Sequence, residues 1–144
     1  MLDLCIFSHG EATPLGLTPI GHEQSRLAVA RWMRVWDCKP VVAFNVPSAP
    51  ARDAAKKFTA ECGIQSIECG LLSHAHFHSY WKHEQFAKML EKREESHVLI
   101  FGHEETRRVC DIIVTKVFGK AEMNLPLPIG GVLRFSPSKG YELL

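Results

Sequence analysis

Short apolar runs set between long amphipathic stretches constrain this chain more than any other feature. Leu2 to Phe7, Pro40 to Val46 and His97 to Phe101 are almost continuously apolar. Such runs suit strands covered on both faces, because a strand with one wet face alternates polar and apolar residues. The intervening stretches carry helical spacing. Thr18-Pro19 reads as an N-cap followed by proline at the first helical position, and Ser25, Val29, Met33 and Trp36 then fall on one face. Pro50 can open a second helix that runs to about Cys62, where Gly63 suits the stop. A short third strand is expected over 64–68. Tyr80 to Lys92 reads as a helix, and so does Glu104 to Phe118, with Thr106, Val109, Ile113 and Val117 on one face. Gly130 to Phe135 and Tyr141 to Leu144 read as two strands joined by a turn at 137–140.

The order β-α-β-α-β-α-β-α-β predicts an α/β protein, a three-layer α/β/α sandwich on a mostly parallel sheet. The 144 residues suit a single domain spanning 1–144. A chain of that length can bury roughly 70% of its unfolded surface and needs no metal or disulfide staple. The net charge is +1 with no long charged run, which argues against nucleic acid or a membrane surface as partner. Five cysteines without a CxxC pair read as reduced, buried thiols. LDLCIF is too short for a signal-peptide core or a membrane span, so a cytoplasmic protein is expected. Trp32, Trp36 and Trp81 read as core or helix-packing residues, and Arg31 and Arg34 as a solvated face.

In parallel sheets, ligands bind beyond the carboxyl ends of the strands. Two predicted strands deliver a histidine there: Ile6-Phe7-Ser8-His9-Gly10 and Ile100-Phe101-Gly102-His103. A neutral imidazole can attack phosphorus and hold the phosphoryl group. A second imidazole can stabilise the charge on the equatorial oxygens, and arginine supplies a planar fork that matches two of them. Gly10 would allow close backbone approach, with loop N–H groups facing an anion.

Ser8-His9-Gly10-Glu11-Ala12 resembles the Arg-His-Gly-Glu signature of the histidine phosphatases, the phosphoglycerate mutase-like superfamily. Thr18 to Gly21 resembles the following LTxxG. Ser48 to Ala55 resembles the Ser-Pro-x-x-Arg segment, Phe101 to Glu104 the Gly-His motif, and Gly130 to Phe135 the glycine-led closing strand. The segments keep the family order over nearly the whole chain, and the compact length resembles the small bacterial phosphohistidine phosphatases. The resemblance implies a metal-independent phosphatase with no cofactor, acting on a phosphorylated small molecule or a phosphohistidine protein. It places His9 at the phosphorylated histidine, His103 at the second histidine and Arg52 at a phosphate-binding arginine.

Ser8 departs from the pattern, because the family has an arginine there. Serine can donate one hydrogen bond to phosphate but carries no charge. Arg107 or Arg108 could restore the charge, and Glu11, His74 and His76 are candidates for the pocket rim. Asp53 could pair with Arg52 or repel a phosphate. Glu68 and Glu84 flank the region where larger members carry a proton donor, without matching it. Two other readings stand beside the enzyme. One is a pseudophosphatase that binds phosphate or a phosphorylated partner without turnover. The other is a zinc site built from His74, His76 and His78, which would share one side of an extended segment.

Overall fold

The computed structural model describes residues 3–73, 79–120 and 125–144, with the backbone alone at 79 and 80. The histidine run at 74, 76 and 78 lies outside the described residues, and with it the zinc reading and the rim reading of His74 and His76. Six described strands form one sheet: β1 Asp3–Ser8, β4 Val41–Asn45, β5 Ser66–Glu68, β6 His97–Gly102, β7 Val132–Ser136 and β8 Gly140–Leu143. Their spatial order is β5-β4-β6-β1-β7-β8. The pairs β5–β4, β4–β6 and β6–β1 are parallel, while β7 and β8 close the edge antiparallel. A small hairpin, β2 Ala12–Thr13 and β3 Gly16–Leu17, stands apart and was not expected.

Helices cover both faces, as continuous apolar strands require. Leu4, Ile6, Val42, Phe44, Val98 and Ile100 point to one face, against α3 Ser79–Glu91 and α4 Arg107–Phe118. Their neighbours Cys5, Phe7, Ala43, Leu99 and Phe101 point to the other, against α1 Pro19–Met33 and α2 Ala49–Cys62. The period-2 alternation of strand side chains thus splits each run between two cores. Truncating a buried aromatic such as Phe58 to alanine should cost about 3–5 kcal/mol. The architecture is the expected three-layer sandwich. Among the described residues no helix is long and apolar enough to cross a membrane.

The helix signals act as read. The Thr18 side chain accepts from the Gly21 amide, Pro19 opens α1, and Gly63 ends α2 in the left-handed conformation. Three readings need correction. Helix α1 ends at Met33, so its buried face is Ser25, Ala28, Val29 and Trp32; Trp36 follows the helix and stacks on Trp32 at 5.2 Å. Trp81 is 59% exposed rather than packed. Arg31 is not solvated: its Nη2 donates to the Gly130 carbonyl at 2.7 Å.

At the amino-terminal end of the parallel strands lies a closed polar network. The His97 Nδ1 meets Asp3 Oδ1 at 2.5 Å and its Nε2 meets Asp37 Oδ1 at 2.6 Å. Arg134 reaches the other Asp3 oxygen at 2.8 Å and Glu142 at 3.3 Å. Asp3 and His97 are paired across the sheet at the start of β1 and β6, which brings them together. The bond from His97 holds the Asp37 carboxyl below the usual range, with further help from the Lys39 amide.

Candidate active site

Strand register places the two histidines. Ser8 pairs with Gly102 at the ends of β1 and β6, and the ladder continues one step as the His9 amide donates to the Gly102 carbonyl at 3.0 Å. The residues that follow therefore emerge side by side. His9 Nε2 lies 2.9 Å from His103 Nδ1, with ring centroids 5.0 Å apart and planes at 88°.

The proton arrangement follows from one further contact. His9 Nδ1 lies 2.7 Å from the Gly10 carbonyl oxygen, which can only accept. The proton therefore sits on Nδ1, and neutral His9 keeps its lone pair on Nε2. His103 Nδ1–H donates to that lone pair. Burial chiefly holds the His103 imidazole below its ordinary pKa, reinforced by the repulsion it would meet from a protonated His9, against an opposing pull from Glu105.

The loop after β1 is clamped onto α1. A Cβ at Gly10 would lie 2.2 Å from the Gly21 carbonyl oxygen, and one at Gly21 would lie 1.8 Å from that of Glu11. Only two glycines allow this approach. The Gly10 amide donates to Ser25 Oγ at 3.0 Å and the Glu11 amide to Gln24 Oε1 at 2.7 Å. The expected cradle of loop N–H groups is thus corrected: both amides are spent on α1 side chains. Glu11 is exposed, and its Oε1 accepts from Thr18 Oγ1 at 3.0 Å. On the opposite side, Thr106 Oγ1 accepts from the His103 amide at 2.9 Å, and a Cβ at Gly102 would lie 2.3 Å from that oxygen.

The arginines do not converge on the histidine pair. Arg52, in the first turn of α2, is held by Glu68, with Nε to Oε1 at 2.5 Å. Both line a separate depression with Asn45, Lys56, Thr59 and Ser66. Arg107 pairs with Asp111 one turn along α4 at 3.0 Å, and neither Arg107 nor Arg108 is among the described residues that line the space over the histidines, so neither supplies the compensation expected for Ser8. Asp53 touches neither Arg52 nor the pocket in the way expected; its Oδ2 accepts from the Leu17 amide and ties down the hairpin.

A cavity of about 280 Å³ opens over the histidines, lined by Ser8, His9, His103, Glu104, Glu105 and Ile129. Ser8 is buried at the end of β1, and its amide donates to the Gly131 carbonyl at 3.0 Å. Glu104, Glu105 and Ile129 were not singled out from sequence. The first two follow His103 directly, and that adjacency was the available signal.

No family model matches the sequence, and no curated protein matches it. Solved structures do. The chain is similar to the structure of the open reading frame Rv3214 from Mycobacterium tuberculosis, with a TM-score of 0.71 at 15% identity, covering 99% of this chain and 95% of that one. It is similar to a protein assigned as the phosphohistidine phosphatase SixA from Agrobacterium tumefaciens, with a TM-score of 0.67 at 15% identity over 99% and 95% of the two chains. It is also similar to the mycobacterial glucosyl-3-phosphoglycerate phosphatase Rv2419c, with a TM-score of 0.68 at 12% identity over 100% and 98%. These likenesses span both chains almost completely, and on them this chain has the phosphoglycerate mutase-like fold of the histidine phosphatases.

Proposed function

We propose that the protein is a metal-independent phosphatase that works through a phosphoryl group on His9 Nε2. The observation that carries this reading is the 2.9 Å contact between His9 Nε2 and His103 Nδ1 beneath an open cavity. The Gly10 carbonyl leaves the attacking lone pair on Nε2, the nitrogen that faces His103. An entering phosphoryl group displaces the His103 N–H from that lone pair, and the same N–H then donates to a phosphoryl oxygen. His9 Nε2 forms a bond to phosphorus as the bond to the leaving group breaks. Water then attacks phospho-His9, releasing inorganic phosphate and restoring the ring.

The leaving group needs a proton. Glu68 is a poor source, because its bond to Arg52 holds its carboxyl below the usual range and keeps it ionised. A phosphoramidate such as phosphohistidine fits better, since its nitrogen can be protonated before the bond breaks. The structural similarity to a protein assigned as a phosphohistidine phosphatase supports the same substrate class.

A second reading keeps binding and drops turnover. It is favoured by the cavity lining, which carries no guanidinium among the described residues. One such donor at an anion site is worth about 2.7–4 kcal/mol of transition-state stabilisation. A labelled phosphohistidine peptide decides between the two. The phosphatase reading expects release of inorganic phosphate and a trapped label, acid-labile and base-stable, at His9. Phosphate binding without either favours the binder.

A further inference from the structure

We propose that Glu104 and Glu105 make the site select phosphoryl compounds whose leaving group carries a positive charge. The inference rests on the phosphatase reading and assigns it a substrate class. A pocket for an ordinary anionic phosphate ester places cations around the phosphoryl oxygens. This cavity shows the reverse balance. Its described lining holds two carboxylates and no lysine or arginine, Ser8 is uncharged, and Arg52 and Arg107 are engaged by Glu68 and Asp111.

The carboxylates are also placed to act on one side of the reaction. Glu104 and Glu105 follow His103 in the short turn 104–106 that precedes α4, so they sit on the β6 side of the cavity rather than behind His9. Glu105 already acts on that side, raising the proton affinity of the His103 ring. Arg107, which could otherwise reach these carboxylates, is turned to Asp111. Both side chains are exposed, so their field extends into the mouth and is sensitive to salt. An ammonium or protonated ring nitrogen near the departing atom is attracted there. A carboxylate at the same place is repelled, which adds to the discrimination.

Three phosphate monoesters of equal length test this: phosphoethanolamine, propyl phosphate and phosphoglycolate. Their side chains are cationic, neutral and anionic. The protein and its E104Q/E105Q double variant are compared for kcat/KM by phosphate release and for Kd by calorimetry. The expected order is cationic over neutral over anionic, with a cation-to-anion ratio of about tenfold or more at low salt. That ratio should fall to within about twofold in the double variant, and shrink in the wild type as salt rises. Because the ratio compares substrates on one enzyme, any change that Glu105→Gln makes to His103 cancels. A ratio near one, or one unchanged by the double substitution, overturns the inference. Turnover without the charge order sinks the selectivity and leaves the phosphatase standing. The charge order in Kd without ester turnover keeps the selectivity, and the phosphatase then falls if the phosphohistidine peptide is not turned over either; no binding of any of the three overturns both.

Discussion

Strand β6 begins with one histidine and is followed directly by another, and the two ends of the sheet treat that side chain in opposite ways. At the amino-terminal end, His97 is buried with each ring nitrogen on a carboxylate, and Arg134 braces the first of these. At the carboxyl-terminal end, His103 meets no carboxylate in a described hydrogen bond; its Nδ1 faces the Nε2 of His9 across an open cavity. A ring saturated with strong partners is fixed in place and has no capacity left for a ligand. A ring paired only with another neutral ring can exchange that partner for an incoming oxygen. Location at the end of a parallel strand therefore does not make a histidine functional. What matters is whether its hydrogen bonds are replaceable.

The sharpest way to break this contrast is to delete one ring at each end. His9→Ala should reduce turnover roughly 10⁴-fold and remove the trapped phosphoryl label, while thermal unfolding stays nearly unchanged. His97→Ala should do the reverse. Opening the Asp3–His97–Asp37 network should cost about 3 kcal/mol in urea unfolding, with kcat/KM of the folded fraction retained. If the first variant is mainly unstable, or the second mainly inactive, the division between the two ends fails.

A smaller effect is expected at Ser8, where the sequence resemblance implies an arginine. Ser8→Arg should raise kcat/KM by up to about a hundredfold, if the new guanidinium reaches the phosphoryl oxygens. Glu104 and Glu105 line the same cavity and compete for it, so the full gain should emerge only on the E104Q/E105Q background. No gain on either background would mean that Ser8 is not where charge is missing.

The mildest test concerns pH. His103 is held below its ordinary pKa in the folded protein, chiefly by burial, so the unfolded chain binds its proton more readily. Its contribution to stability is present above the unfolded pKa near 6.5 and is lost as pH falls through the lower folded value. Urea unfolding between pH 7 and pH 5 should therefore show a decline that is partly removed in His103→Gln.

Much of this was legible in the sequence. Continuous apolar runs led to the buried parallel strands, Thr18-Pro19 and Gly63 marked real helix ends, and the matching Phe-x-His endings of β1 and β6 pointed to two rings that meet. What could not be read was where charged side chains turn. Arg52 lies in the expected first turn of α2, yet Glu68, sixteen residues on, claims it. Arg107 could reach the cavity or Asp111, and one helical turn decides for Asp111. The amides of Gly10 and Glu11 look available for an anion until Ser25 and Gln24 are seen to face them. These choices depend on tertiary neighbours and leave no periodic trace. The helix face of α1 was misread for a different reason: its spacing was continued past Met33, where the helix has already ended.

The contact between Gly10 and Gly21 has a bearing on how the protein could be altered. Two backbones meet there with no room for even a methyl group on either, so neither position can be varied to compensate for the other. In a library randomised at both sites, survivors with an intact His9 should be glycine twice over. Attempts to reshape the loop after β1 must begin instead at its polar anchors, Gln24 and Ser25, whose side chains hold the Glu11 and Gly10 amides.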